Sequence, residues 1–463
     1  MGLVSEDTIT AIATAIGEGG IGIIRMSGPE AIGIADQIFH AANLGLVCEQ
    51  QSHLAVYGHI FEPESRDIID EVLLLVMRGP RSYTRENVVE IHCHGGPMPL
   101  RRILELTLRL GARLAEPGEF TKRAFLNGRL DLSQAEAVMD VIRSKTDVSL
   151  RMAVGHLGGA FSVKVSQLRH QLLSMIAQLE AAIDFPEDDI EELTSRNVAV
   201  ELETLQIEIA ELITTAYTGR ILREGLKTVI IGKPNVGKSS LLNILLGENR
   251  AIVTNIPGTT RDVIEEYVNI GGIPLKIVDT AGIRETADAV EQIGVEKTRE
   301  VMVNADLILV VLDASEMLTV EDKEVLSLLD GRQAIVLVNK TDLPSMIEMP
   351  EVLGLVPDKT VLQISALDGL GIRTLEETIA AMVYGGRVTQ GEGAFVSNVR
   401  HKYLLEQVQA ALIAAREAIA AVLPPDCVVI DLRAAWERLG EISGDTVGED
   451  IIDQIFSQFC IGK

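Results

Sequence analysis

The pattern of apolar and polar positions changes twice along the chain. Up to about residue 118, short apolar runs alternate with amphipathic stretches. IGIIRMSG (21–28), HLAVYGHIF, DEVLLLVM and NVVEIHCHGG predict strands. PEAIGIADQIF (29–39), opened by Pro29, and PLRRILELTLRLGA, closed by Gly111, predict helices. The expectation is an α+β domain over 1–118. Residues 119–222 turn helical, with Ser133 and Glu136 spaced as a capping box and a helix predicted over Asn197–Tyr217. From 223 to 383, LKTVII, LKIVD, LILVVLD, AIVLVN and VLQIS alternate with helical stretches. Such runs predict an α/β domain around a largely parallel sheet covered on both faces. Residues 384–463 are helical again, broken by Pro424 and Pro425. The segments 119–222 and 384–463 predict one discontinuous helical domain with the sheet domain inserted. Two independent helical domains would carry the same pattern.

The length of 463 residues suits about three domains. No apolar run is long enough to span a membrane, and the N-terminus lacks the basic start of a signal peptide, so a cytoplasmic protein without a membrane partner is expected. Four cysteines without C-x-x-C spacing suit a reducing compartment and argue against structural zinc. The net charge of −26 confines any RNA partner to a local basic patch or a second protein. Two features invite a wrong reading. Gly17, Gly19 and Gly22 fit G-x-G-x-x-G, but the strand follows the glycines, so a loop is expected and not a dinucleotide site. His92 and His94 share one strand face with Cys93 on the other; two ligands are too few for zinc, and a turn-capping role beside Gly95 and Gly96 is expected.

Residues 232–239 (GKPNVGKS) match the phosphate-loop pattern G-x-x-x-x-G-K-S/T between a predicted strand and a predicted helix ending at Gly247. Backbone N–H groups over Asn235, Val236, Gly237, Lys238, Ser239 and Ser240 would surround phosphates. Lys238 would reach the β- and γ-phosphates, and Ser239 would bind Mg²⁺. Further motifs follow in order at strand ends. GTTRD (258–262) offers a loop threonine to the metal, and Asp279, Thr280, Ala281 and Gly282 place a carboxylate near the metal and an N–H near the γ-phosphate. Asn339, Lys340 and Asp342 read guanine: a carboxylate accepts from N1 and N2 together, a donor pair adenine lacks, and such a site can discriminate by roughly 10⁴-fold. Ser365, Ala366 and Leu367 would supply an N–H to the guanine oxygen. The set predicts a GTPase binding GTP or GDP. The place after Gly282, where many GTPases carry a water-orienting Gln, holds Ile283, so another group must act; Arg284, Glu285, Asp288 and Glu291 are candidates.

GKPNVGKSSLLN, TNIPGTTRD, DTAGIRETADAVEQIG, PGEFTKRAFLNGRLDLSQAEA (117–137), the GGIGIIRMSG opening and the ending Cys460-Ile461-Gly462-Lys463 together resemble the MnmE family of tRNA-modification GTPases, over the whole chain. The resemblance implies an N-terminal folate-binding and dimerising domain, a two-segment helical domain and an inserted G domain. It implies a homodimer that, with an FAD-dependent MnmG-like partner in a heterotetramer, installs a carboxymethylaminomethyl or aminomethyl group at C5 of the tRNA wobble uridine. The one-carbon unit would come from a tetrahydrofolate derivative, 5-formyl or 5,10-methylene, and hydrolysis would require K⁺. By position, Asn235 and Thr259 with the carbonyls of Thr254 and Ile256 would hold K⁺, in a loop that includes Asn255, Pro257 and Gly258. Ser239 and Thr260 would hold Mg²⁺. Glu291 would orient water, and Lys238 would be the phosphate cation. Arg25, Glu90, Arg129 and Lys463 would contact folate, with Arg129 standing where members often carry Lys. Two readings of Cys460 compete: a nucleophile or proton donor activated by Lys463, or a small buried hydrophobe pinning the tail. A ribosome-assembly GTPase switch is the alternative, and a folate-dependent transferase with an idle G domain a third.

Overall fold

The computed structural model describes residues 7–41, 47–184, 190–249, 266–278, 302–385 and 395–463, with the backbone alone at 190–195 and 248–249. The N-terminal part is a seven-stranded sheet in the order β3-β4-β5-β6-β2-β1-β7. Its strands are β1 (Ile9–Ile12), β2 (Gly19–Ser27), β3 (Phe39–Ala41), β4 (Ala55–Phe61), β5 (Ile68–Met77), β6 (Val88–Gly95) and β7 (Arg113–Leu114). Strict alternation sends Ile24, Met26, Leu74, Val76, Val89, Ile91 and Cys93 to one face, where α1 (Ala31–Ile38) and α2 (Pro97–Arg109) cover them. The opposite face carries Arg25, Glu90 and His92. Gly19 and Gly22, expected in a loop, belong to β2, with a register shift against β6 between them. A Cβ at Gly22 would lie 2.8 Å from the Leu100 side chain, so a larger residue there would have to displace Leu100 of α2.

The helical part combines α3 (Glu119–Leu126), α4 (Leu132–Arg143), α5 (Asp147–Leu157), α6 (Ala160–Asp184), α7 (Ile190–Thr214) and α8 (Ala216–Glu224) with elements from the far end of the chain. Phe161, Leu168, Leu172 and Leu179 of α6 share one core with Leu405, Val408 and Leu412 and with Leu432, Leu439 and Ile442. The capping box differs from expectation. Asp131 is the N-cap and Gln134 answers it, because Asp131-Leu-Ser-Gln134 offers the same spacing two residues earlier. Ser133 lies inside α4, and Glu136 points across the bundle. The helix predicted over Asn197–Tyr217 begins earlier and breaks at Thr215 between α7 and α8.

The second sheet runs β13-β12-β11-β8-β10-β9, parallel except for the β9–β10 hairpin. Its strands are β8 (Leu226–Ile231), β9 (Glu266–Ile270), β10 (Ile273–Ile277), β11 (Leu307–Asp313), β12 (Ala334–Asn339) and β13 (Thr360–Gln363). Its helices are α9 (Lys238–Asn249), which runs past Gly247, then α10 (Val320–Ser327), α11 (Met349–Leu355) and α12 (Ile372–Tyr384). Apolar residues of β11 alternate between two cores, Leu309 and Val311 on one side and Ile308, Val310 and Leu312 on the other. The chain then returns as α13 (Val399–Ala420), α14 (Pro425–Ser443), which starts at Pro425, and α15 (Glu449–Phe456).

The return is fastened by a buried carboxylate. Glu136 accepts from Arg400 Nη2 at 2.9 Å and Asn398 Nδ2 at 2.9 Å, and lies 2.7 Å from His401 Nε2. Burial alone would raise this carboxyl, but His401 and then Arg400 outweigh it and hold it at about 2. One turn along α4, Asp140 pairs with Arg223 of α8 at 2.7 Å. Nearby, burial pushes the His156 imidazole from 6.5 to about 4, with His401 adding to the effect. Both groups hold fewer protons folded than unfolded, so each contributes stability that is lost as pH falls. The window is 6.5 to 4 for His156 and lower for Glu136. We expect a loss on the order of 3 kcal/mol between pH 7 and 4 from His156. Chemical denaturation at stepped pH checks this. His156→Gln should flatten the upper part of the slope, and an unchanged slope in that variant would contradict the assignment.

Candidate functional site

β8 ends at Ile231 in the middle of its sheet, flanked by β10 and β11. The chain passes to one side of β8 with β10 and to the other with β11, so the loop after β8 sits at a topological switch point. Gly232 leaves the strand at φ +146, and a Cβ there would lie 2.3 Å from the Val311 carbonyl. Asn235 is held at φ +62, a conformation asparagine tolerates better than most residues. Gly237 has φ +102, and a Cβ on it would meet Asn339 Nδ2 at 2.2 Å. The motif's glycines thus answer to positive φ and to close neighbours, the Val311 backbone at Gly232 and the Asn339 side chain at Gly237. Lys238 opens α9, and its Nζ donates to the carbonyls of Gly232 at 2.8 Å and Lys233 at 2.7 Å, across the loop mouth. Ser239 and Ser240 fall in the first turn of α9. N–H groups of that turn supply positive potential at the cradle.

Asn339 ends β12 and spans the cradle. Its Nδ2 donates to the Val236 carbonyl at 2.8 Å, and its Oδ1 accepts from the Ala366 N–H at 2.9 Å. It therefore joins the phosphate loop to the loop after β13. The Ser365 hydroxyl donates to Asp342 Oδ1 at 2.7 Å, which orients that carboxylate. The Ser365 N–H goes to the Leu370 carbonyl, and the N–H of Leu367 is the one these bonds do not take. Lys340, at φ +66, pairs with Asp313 at 2.5 Å; burial would raise the Asp313 carboxyl, but Lys340 and Ser315 hold it below its ordinary value. Asn235, Val236, Gly237, Lys238, Ser239, Asn339, Lys340, Asp342, Ser365, Ala366 and Leu367 thus gather at one edge of the sheet. Thr254, Asn255, Ile256, Pro257, Gly258, Thr259 and Thr260 lie outside the described residues, as do Asp279, Thr280, Ala281, Gly282, Ile283, Arg284, Glu285, Asp288 and Glu291.

The structure brings Arg25, Glu90, Arg129 and Lys463 together on the open face of the first sheet. Arg25 and Glu90 are register partners joined at 2.8 Å, and Glu90 also lies 3.2 Å from His92 Nε2. Arg25 Nη1 donates to the Gly462 carbonyl at 3.2 Å. Arg129 stacks over the Tyr83 ring at 4.7 Å, and Arg25 lies over Tyr83 and Phe120. Burial, with Arg25 beside it, lowers the Lys463 ammonium from its ordinary value, against the pull of Glu90 and Cys460. Sequence reasoning assigned no role to Tyr83 or Phe120, because their contacts with Arg25 and Arg129 join residues far apart in the chain. Two expectations are corrected. His92 and His94 do not cap the turn: His92 meets Glu90, and His94 meets Asp70 at 2.7 Å, which holds its imidazole above the ordinary value. Cys460 is exposed, so it is no buried hydrophobe. Phe456 and Phe459, packed on Leu132 and Met139, pin the tail instead. The Gly118 N–H bonds to the Cys460 carbonyl, and Gly462, at φ +90, lies too near the Ile12 carbonyl for a Cβ.

The family model described as the MnmE helical domain matches residues 132–460, and that described as GTP-binding protein TrmE N-terminus matches residues 8–129. The chain belongs to the MnmE/TrmE family of tRNA-modification GTPases. It is 54% identical to the tRNA modification GTPase MnmE of Desulforamulus reducens, over 99% of this chain and 100% of that protein. It is also 54% identical to the proteins of the same name from Geobacillus kaustophilus and Clostridioides difficile, over 99% of this chain and of each relative. The cradle described above is a P-loop guanine-nucleotide site. Among the described residues no helix is long and apolar enough to cross a membrane.

Gly237→Ala should lower affinity for a fluorescent GDP analogue by roughly 10- to 100-fold, since both the positive φ and the Asn339 contact oppose a side chain. Unchanged affinity would mean that the loop is not held as described.

Proposed function

We propose that this GTPase drives modification of the wobble uridine of tRNA at C5, adding a carboxymethylaminomethyl or aminomethyl group together with an MnmG-like FAD-dependent protein. Asn339 carries the nucleotide half of this reading: one side chain ties phosphate cradle to base-reading loop beside an oriented Asp342. The one-carbon half is supported by the cluster around Tyr83. Arg25, Arg129 and Lys463 supply cations, and Tyr83 and Phe120 supply aromatic surface. That donor set fits an anionic, aromatic ligand such as tetrahydrofolate. In this reading Arg25, Glu90, Arg129 and Lys463 bind and orient the folate, which supplies the one-carbon unit when bound. Cys460, exposed beside Lys463, is available as a nucleophile or proton donor. Three main cores support the division into 1–118, the discontinuous 119–222 with 384–463, and 223–383, although Ile221 and Leu222 at the end of the first helical segment join the core of the second sheet. The exposed cross-strand pair Tyr57 and Leu73 on the first sheet suits the proposed homodimer, and cytoplasmic residence follows from the reaction.

In hydrolysis, Ser239 at the start of α9 would hold Mg²⁺ with Thr260. Asn235 would hold K⁺ with Thr259 and the carbonyls of Thr254 and Ile256. Asn235 is exposed on the cradle rim with its backbone pre-set at positive φ, which suits a coordinating amide there. A cation at that rim offsets charge that develops on the phosphates, as an arginine would elsewhere. Glu291 would orient the attacking water. We expect GTP hydrolysis to be much faster in K⁺ than in Na⁺ at equal ionic strength, and Asn235→Ala to erase the difference. Equal parental rates in the two salts would end the K⁺ reading.

The decisive test is nucleoside analysis of tRNA from a deletion strain. Loss of the modified wobble uridine, restored by the parent gene, is the expected result. Normal modification with defective ribosome assembly would instead favour the assembly-switch alternative. The Cys460→Ser gene should fail to restore modification while its product hydrolyses GTP almost normally, because the tail lies outside the nucleotide cradle. Equal loss of both activities would make Cys460 a fold determinant.

A further inference from the structure

The phosphate-loop motif leaves its second residue unspecified, and here that residue is Lys233. Its ammonium does not face the cradle as a second phosphate cation. It is committed to the N-terminus of α10, 2.8 Å from Asp322 Oδ2, 3.1 Å from Thr319 Oγ1 and 4.0 Å from Glu316 Oε2. Only 15% of the Lys233 side chain and 6% of Asp322 are exposed. Asp322 is already fixed by the α10 cap, where it accepts from the Thr319 N–H at 3.0 Å and hydroxyl at 2.9 Å. Meanwhile the Lys233 carbonyl accepts from Lys238 Nζ at 2.7 Å. One residue thus holds α10 with its side chain and the phosphate-binding lysine with its main chain.

We propose that Lys233 and Asp322 are positioning residues for GTP hydrolysis, a clamp that sets the first half of the phosphate loop. The second half is set independently, because Asn339 holds the Val236 carbonyl. Between the two anchors lie only Pro234 and Asn235, both exposed. Without the clamp, Lys233 to Asn235 would be held only through the Lys233 carbonyl, by the lysine that must also reach the phosphates. The entropy of ordering those residues would then fall on the bound state. Small displacements of a charge-stabilising group cost most in the transition state, where phosphate charge develops, so the loss falls mainly on kcat.

The experiment compares Lys233→Met, Asp322→Asn, the double variant and Lys233→Arg in the full chain, with Lys238→Ala as control. Asp322→Asn keeps a carbonyl oxygen for the α10 cap, so the helix start survives. Single-turnover GTP hydrolysis, equilibrium binding of a fluorescent GTP analogue and thermal midpoints are measured on each. The expected result is a kcat lower by on the order of tenfold in each single variant and a smaller change in affinity; the midpoint falls most in Lys233→Met, which leaves the Asp322 carboxylate unpaired, and recovers in the double variant while kcat does not. The double variant should be no worse than either single one, and Lys233→Arg should retain most of the rate. Unchanged kcat, additive losses in the double variant, or losses that track the midpoint would each overturn the clamp. The proposal rests on hydrolysis at this loop, and Lys238→Ala separates the two. Loss of turnover there with normal Lys233→Met refutes the clamp alone, whereas normal turnover in both refutes the site.

Discussion

The Glu136 carboxylate is the contact on which the chain's unusual order depends. The helical bundle is made from two stretches of sequence separated by a complete sheet domain, and Glu136 joins them. Its partners Asn398, Arg400 and His401 belong to the start of the returning helix, and Asp140, one turn further on α4, holds Arg223 on the outgoing one. Exit and return of the inserted domain are thus fastened to one face of one helix. Burying these charges costs desolvation energy, and the pairs repay it only with good geometry. Removing one partner would leave an uncompensated charge, which makes the arrangement a strict register device for two segments that share a core.

The nucleotide cradle is built by a similar logic at smaller scale. The loop after β8 contains three residues with positive φ, and two of them are glycines that neighbouring atoms crowd. Backbone N–H groups can surround phosphates only where side chains are absent, so the site is made from the lack of Cβ atoms as much as from Lys238. Asn339 then couples phosphate and base recognition through two ordinary hydrogen bonds.

A further contact ties the cradle's sheet to the bundle. The β9–β10 turn rests on α5, where Thr146 Oγ1 donates to the Gly272 carbonyl at 2.8 Å and Lys145 lies over Tyr267. Gly272 has φ +91, and a Cβ there would sit 2.5 Å from Val148. Val148 and Met152 of α5 pack against the sheet's own apolar core. The hairpin lies in sequence between Thr260 and Glu291.

The architecture was legible in the sequence because it rests on local periodicity. Alternation in β2 and β6, unbroken apolar runs in β11 and β12 and glycine spacing around Lys238 each report a local physical constraint. The guanine-reading residues were legible for the same reason, since each sits at a strand end that its own run announces. What had no local signal was missed or misread. Glu136 passed for a capping residue because its true partners are 262 to 265 positions away. Asp131 took the cap by the same spacing rule. Tyr83 and Phe120 meet Arg25 and Arg129 only after the sheet has formed, and Cys460 is exposed because two phenylalanines, not the thiol, hold the tail. Sequence alone determined the strands, the helices and the chemistry of each motif, because these follow from neighbours along the chain. Only the tertiary structure decided which distant charges meet, such as Glu136 with Arg400 and His401, and Lys233 with Asp322 at the start of a helix, because these contacts form only when separate elements pack.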